Sequence, residues 1–424
     1  MKILQIVEES PSLDFTLPIF NELNAEIEII VLSTRPTFNY WFNHNPEDLL
    51  PSKKENIKFL DLISISKFPL IIKNIFFTFT KNNRNNTNNF LTKLLRKIFT
   101  FVIELNFNLD QVFKEFKKEG GPDLIIVDSR NDLRTTKVFK DIFNFIHDNE
   151  VKTIAVPVST YVREGIEIDV DFFTQKKKEG EYPFNTRPKN FEFWTTTEQP
   201  NYQKQLNPEN YKVVGYSGLD NKWLKHFNKK ENSNYEINIL INIKHFSKKI
   251  KTQNNPGPYS INEIEDFFSN LHSLEIHYPE YKFNFILKPH YYMNYKDLKK
   301  TLNKSKINNY EILRTSIYKA INKIDIVVGL HTSVNIITSA AGVATILYPE
   351  TQMNIIGATD QKTIKMYTSH PGFTENIREF ENLFKDCLSF EVRKKLGKDC
   401  VSWSKEFFNL DTIENIKKIL ISNR

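Results

Sequence analysis

Two short segments in the second half of the chain carry residue types suited to holding a phosphate. In IDIVVGLHTSVNIITSAAGVATILYPE (324–350) a β-branched run ends at Gly329–Leu330, and His331, Thr332 and Ser333 then open an apolar helix. A helix opened by Thr-Ser presents unpaired backbone N–H groups, two hydroxyls and the positive end of the helix dipole, all suited to an oxyanion. Thr and Ser also cap helices that bind nothing; placement directly after a parallel strand favours the anion site. In FILKPHYYMN (285–294) a strand stops at Pro289, which cannot continue a ladder. Lys288 offers a point charge beside it and His290 a switchable donor. A third span, INIKHFSKKIKTQNN (241–255), crowds Lys244, His245, Lys248, Lys249 and Lys251, either as anion contacts or as a solvated charged surface.

The first half supplies acids and arginines. DLIIVDSRND (123–132) ends a strand with Asp128, Arg130 and Asp132, and VPVSTYVREGIEIDVDFF (156–173) strings Arg163, Glu164, Glu167, Asp169 and Asp171 along a loop-like segment. A general base must reach an acceptor hydroxyl, and Glu164 or Asp128 could do so. Arg130 and Arg163 could grip a carboxylate with paired hydrogen bonds. Asp169-Val170-Asp171 spells a D-x-D, a pattern nearly free by chance in a chain with 51 acids. Metal-independent chemistry with no cofactor is therefore expected, and a divalent metal is not. No His/Cys set has zinc spacing, and neither a G-x-S-x-G elbow nor a Walker lysine loop occurs.

The elements that must position these residues alternate in type. KILQIV (2–7), EIEIIVLST (26–34), DLIIVDS (123–129) and VKTIAVPVS (151–159) read as strands, with helices over 12–24 and near 134–148. After YKVVGYSGLD (211–220) and the charged stretch 228–236, the pattern repeats. INILINI (237–243), KFNFILKPH (282–290), IDIVVGL (324–330) and VATILYP (343–349) read as strands, and 261–278 and 295–304 as helices. Strand–helix–strand crossovers imply parallel sheets covered on both faces. The expectation is an α/β protein of two Rossmann-type domains facing a cleft. The boundaries read as 1–220 for an acceptor-binding domain, 221–236 for a linker, 237–405 for a nucleotide-binding domain, and 406–424 for a terminal helix crossing back.

Length supports that division: 424 residues exceed one ordinary domain of ~150. The formal net charge of +7 is too small to indicate nucleic acid, which is not an expected partner. Cys387 and Cys400 cannot build a disulfide framework, and a cytoplasmic protein is expected. One region departs from the pattern. From Leu62 to Ile103 there is no acid, whereas Lys67, Lys73, Lys81, Arg84, Lys93, Arg96 and Lys97 are interleaved with phenylalanines. This reads either as an insertion docking on an anionic membrane surface, making the protein peripheral, or as two ordinary helices with a loop.

NYKVVGYSGLD (210–220), LKPH (287–290) and HTSVNIITSAAGVATILY (331–348) together resemble the nucleotide-binding half of GT-B glycosyltransferases. The nearest style is that of CDP-glycerol glycerophosphotransferases, capsule Kdo transferases and bacterial polysialyltransferases. With the N-terminal strand–helix–strand opening, the likeness spans most of the chain. In polysialyltransferase-like enzymes an acidic-glycine motif supplies the base, and a His-Pro motif and a Ser/Thr pair hold the CMP phosphate. This chain offers Arg163-Glu164-Gly165, Pro289-His290 and Thr332-Ser333 in that order, but with one acid before Gly165 and with His290 following its proline. Many UDP- or ADP-sugar members place a Glu just after the residue matching Ser333, and Ile336, Ile337 and Thr338 carry no acid. The resemblance thus implies a nucleotide-sugar donor, a CMP-activated ulosonic acid before a UDP-sugar or CDP-polyol. It also implies a glycan or glycolipid acceptor and an inverting displacement. UDP-sugar 2-epimerases share the fold but want more acids and arginines at the strand ends. A non-catalytic membrane scaffold is the alternative of another class.

Overall fold

The computed structural model describes residues 1–7, 11–34, 50–82, 90–128, 137–157, 190–197, 210–227, 235–243, 246–247, 259–289, 295–313, 316–330, 332–349 and 361–422. Its apolar runs form parallel strands. The first sheet contains β1 (Lys2–Val7), β2 (Glu28–Ser33), β3 (Ile57–Asp61), β4 (Leu124–Asp128), β5 (Lys152–Val156), β6 (Phe191–Thr195) and β7 (Tyr211–Val213), ordered β3-β2-β1-β4-β5-β6-β7. Its inner strands are buried on both faces, so they read as unbroken β-branched and Leu runs rather than alternating ones. The helices of this half are α1 (Pro11–Glu22), α2 (Leu62–Ile65), α3 (Leu70–Asn82), α4 (Phe90–Leu105), α5 (Leu109–Phe113) and α6 (Lys137–Asn149). Pro11 opens α1 at the position where a missing N–H costs nothing. The buried Thr16 hydroxyl of α1 donates to Gln5 Oε1 of β1 at 2.8 Å, tying the helix to the sheet.

The second sheet contains β8 (Glu236–Ile243), β11 (Lys282–Pro289), β12 (Tyr310–Ile312), β13 (Ile326–Gly329) and β14 (Ala344–Leu347), ordered β12-β11-β8-β13-β14 and parallel throughout. A two-stranded ribbon, β9 (Phe246–Ser247) with β10 (Tyr259–Ser260), follows β8. The helices of this half are α7 (Asn221–Lys225), α8 (Ile261–His277), α9 (Tyr295–Lys304), α10 (Ser333–Ala340), α11 (Gln361–Thr368), α12 (Ile377–Asp386) and α13 (Phe390–Phe407), and the chain ends in α14 (Ile413–Ser422), which belongs with the first sheet. One face of this sheet, with Ile239 and Ile241 of β8, Phe285 and Leu287 of β11 and Val328 of β13, packs a core that includes Phe267 and Phe268 of α8 and Phe380 and Phe384 of α12.

The chain divides into two compact units. Of the described residues, the first holds those up to Gly218 together with those from Asp411 onward, and the second those from Leu219 to Leu410. Both sheets are wound the same way. The first strand of each, β1 or β8, sits beside the strand reached by the long crossover, β4 or β13. That pairing is the topological switch point, outside whose carboxyl end open α/β sheets bind ligands. The sequence reading places 282–290 and 324–330 as consecutive strands. Instead β12, only three residues long, intervenes at the edge, and β11 and β13 flank β8 on opposite sides.

Candidate functional site

The switch point of the second unit is built from an asparagine, a glycine and a helix start. Register pairs Lys288 with Asn242 and Asn242 with Gly329, so the carboxyl ends of β11, β8 and β13 stand level. Paired residues of parallel strands point to the same face, and Asn242, Lys288 and Gly329 share the one opposite the Ile239–Ile241 core. With ~4.8 Å between strands, the ends of β11 and β13 lie about 10 Å apart across β8, a span that one phosphate-bearing ligand can bridge.

Asn242 is almost fully buried at this level. Its amide lies over the Cα of Gly329, where any side chain would collide with it. Its Nδ2 donates to Oδ1 of Asn335, also buried, on the first turn of α10. Asn335 Nδ2 in turn donates to the Leu330 carbonyl at 3.0 Å. That second bond fixes both amides. The carbonyl must face an N–H, which leaves Asn335 Oδ1 toward Asn242 and obliges Asn242 to answer with Nδ2. Asn242 is therefore left presenting Oδ1, and among the described residues nothing hydrogen-bonds that atom.

Thr332 occupies the N-cap of α10 with extended backbone (φ −147°, ψ 164°) but makes no side-chain capping bond. Its Oγ1 is buried and has no partner among the described residues. An N-cap hydroxyl ordinarily accepts from the second or third helical N–H, and buried polar atoms are ordinarily satisfied. The hydroxyl and the Asn242 oxygen together supply a donor-or-acceptor and an acceptor at the N-terminus of a helix. Ser333, half-buried, begins that helix.

The far end of α10 is held by a second buried contact. His370 Nδ1 accepts from Gly372 N–H at 3.0 Å, so Nε2 carries the proton and donates to Ser339 Oγ at 2.9 Å. Trp403 packs edge-on against the imidazole with centroids 4.5 Å apart. Cys400 lies beside it, with burial pushing its thiol up to about 11. These contacts orient the helix whose start forms the site.

Of the residues expected from sequence, Thr332 and Ser333 lie at the start of α10 and half-buried Lys288 one residue from the end of β11, all on one sheet edge. Asp128 ends β4, fully buried, at the switch point of the first unit and paired in register with Val156. Lys244, His245, His290, His331, Arg130, Arg163 and Glu164 lie outside the described residues. Asn242 and Asn335 are the site residues that sequence reasoning missed. The available signal was an amide one residue before the end of the run INILINI, the second of its two asparagines. Among the described residues no group of three His, Cys, Asp or Glu side chains could hold a metal ion.

No protein-family model and no curated protein matches this chain. Solved structures do. A UDP-GlcNAc 2-epimerase from Neisseria meningitidis, bound to UDP-GlcNAc, is similar with a TM-score of 0.51 at 12% identity over 100% of both chains. Another UDP-N-acetylglucosamine 2-epimerase gives 0.54 at 12% identity, over 100% of this chain and 97% of that one. The wall teichoic acid polymerase TagF gives 0.51 at 9% identity, over 100% of this chain and 88% of that one. At these identities the likeness establishes the fold: two Rossmann-type units of the GT-B kind.

Proposed function

We propose that this chain is a glycosyltransferase that moves a sugar from a nucleotide-activated donor, a CMP-linked ulosonic acid of the sialic acid or Kdo type, onto a bacterial surface glycan. The observation that carries the proposal is the buried Thr332 hydroxyl, uncommitted to capping, at a helix start on the switch-point edge of the sheet. A phosphate oxygen there would meet helix N–H groups and the Thr332 and Ser333 hydroxyls, with Lys288, His290, His331, Lys244 and His245 as further contacts. In the reaction the acceptor hydroxyl attacks the anomeric carbon, and the bond from that carbon to the phosphate oxygen breaks with its electrons on CMP. Glu164 or Asp128 takes the acceptor proton, and Arg130 or Arg163 pairs with the sugar carboxylate. Charge grows on the leaving phosphate, so fixed donors there favour the transition state over the ground state without a divalent metal. One displacement inverts the anomeric centre.

The preference for CMP rests on the first turns of α10. Ile336, Ile337 and Thr338 are all buried, and none is an acid that could hold a ribose. A UDP-sugar or CDP-polyol donor is the second reading, favoured by the fold shared with a protein solved bound to UDP-GlcNAc.

Thermal melting with CMP, CDP, UDP and GDP tests the donor. Selective CMP stabilisation, lost in His290→Ala and Ser333→Ala, supports the first reading. UDP or CDP stabilisation supports the second. Stabilisation that persists undiminished in both variants removes the site, and no response to any nucleotide favours a non-catalytic scaffold. Incubating UDP-GlcNAc without acceptor and seeking its 2-epimer by mass spectrometry separates transfer from epimerisation.

A further inference from the structure

The helix pair α3–α4 of the first unit carries a surface that its own core does not use. It is anchored inward by Phe76 and Ile103, both buried, and by Phe99, whose ring meets Phe76 edge-on at 4.9 Å. Away from that anchor Leu94, Ile98, Phe101 and Leu105 recur at i, i+4, i+7 and i+11, a single helical stripe, and are 42%, 47%, 60% and 54% exposed. On α3, Leu70, Ile71 and Ile75 are 72%, 75% and 55% exposed. Eight of the twelve exposed large hydrophobic side chains among the described residues fall on these two helices, so this is a patch rather than ordinary scatter.

Charge says what covers it. The run 62–103 has seven cations and no acid, which equals the whole formal net charge of +7, so the remainder of the chain is neutral in sum. Lys67, three residues before α3, and Lys97, within α4 and next in sequence to Ile98, are exposed. A second copy of this surface would bring like charges together, whereas an anionic bilayer supplies both the apolar phase and the opposite charge. No described helix is long and apolar enough to cross a membrane.

We infer that α3 and α4 dock the protein on an anionic lipid surface, with Ile71, Ile75, Ile98 and Phe101 entering the interface and Lys67 and Lys97 meeting the headgroups. The inference goes beyond sugar transfer, and its test needs no donor or acceptor. The full chain is sedimented with vesicles of phosphatidylcholine alone or mixed with phosphatidylglycerol. Binding to the mixed vesicles only, weakened by added salt, is expected. The combined Ile71→Ser, Ile75→Ser, Ile98→Ser and Phe101→Ser variant should lose at least about tenfold in partitioning while still melting cooperatively, because these side chains are about half or more exposed already. Lys67→Glu with Lys97→Glu should also weaken binding while leaving the apolar stripe intact. Absence of binding to anionic vesicles, equal binding to both vesicle types, or undiminished binding by both variants would overturn the inference. So would a wild-type dimer in solution that the serine variant converts to monomer.

Discussion

The side-chain amide of Asn242 occupies the space that a Cβ at position 329 would need. Two strands that pair at this level thus share one volume, the glycine yielding all of it to the asparagine. Gly329→Ala should destabilise by about 2 kcal/mol through overpacking. Asn242→Ala removes the collision but strands Asn335 Oδ1, costing about 1–3 kcal/mol. Because the two side chains compete for one site, the double variant should be more stable than the sum of the singles implies, by about 1 kcal/mol. Urea denaturation of all four proteins measures this, and strict additivity would contradict the contact.

Thr332 separates fold from function. Its hydroxyl makes no capping bond, so Thr332→Val should cost less than about 0.5 kcal/mol, against ~1 kcal/mol for an N-cap in use. If the hydroxyl serves a nucleotide phosphate, the same change should weaken nucleotide binding about tenfold, as loss of a charge-assisted hydrogen bond does. Calorimetric titration beside a melting curve decides. A variant that melts early and binds normally would make Thr332 structural.

The two sheets are readable because their inner strands are buried on both faces and appear as DLIIVDS, INILINI and IDIVVGL. The short edge strands are not: Tyr310–Ile312 holds three residues around a charged Glu311, with no period to detect. Strand ends and helix starts place Lys288, Thr332 and Ser333 from sequence alone. Asn242 escapes, because its amide, like that of Asn238 in the same run, looks like any half-buried strand residue. Its role depends on Gly329 and Asn335, which only the parallel register brings to it. The buried His370–Ser339 bond escapes for the same reason.

Glu192 of β6 ties three strands of the first sheet. It pairs with Lys152 of β5 at 2.9 Å and Lys212 of β7 at 3.0 Å, and accepts from Trp194 Nε1 at 2.9 Å. Burial pushes its carboxyl up, but the bonds from Lys152, Trp194 and Lys212 outweigh that and hold it below the ordinary 4.5. A depressed carboxyl contributes stability that is present above its unfolded value and lost as pH falls through the folded one. Stability should therefore decline on the acid side from about pH 4.5 downward, and Glu192→Gln should flatten that limb while costing about 1–3 kcal/mol at neutral pH. Denaturant midpoints across the acid range check both effects, and an unchanged limb in the variant would assign it to other carboxyls.

The alkaline limb has the opposite sign and a different origin. Cys387 and Cys400 are free and buried, and burial is the leading cause that pushes their thiols up, to about 12 and about 11. In the unfolded chain they ionise near 9.0, so above that value the unfolded state holds fewer protons than the folded one. The stability they contribute is intact below 9.0 and lost as pH rises through the folded values. Buried Tyr216 and Tyr348 are also raised, but from an ordinary 10.0, so the thiols titrate first. Cys387→Ala with Cys400→Ala should thus delay the onset of alkaline destabilisation, offset by a small packing loss visible at all pH values. A thiol reagent should find neither cysteine in the native protein at mildly alkaline pH and both after unfolding. Rapid labelling of Cys400 in the native state would mean that α13 opens locally, and the His370–Ser339 support of α10 would have to be loose as well.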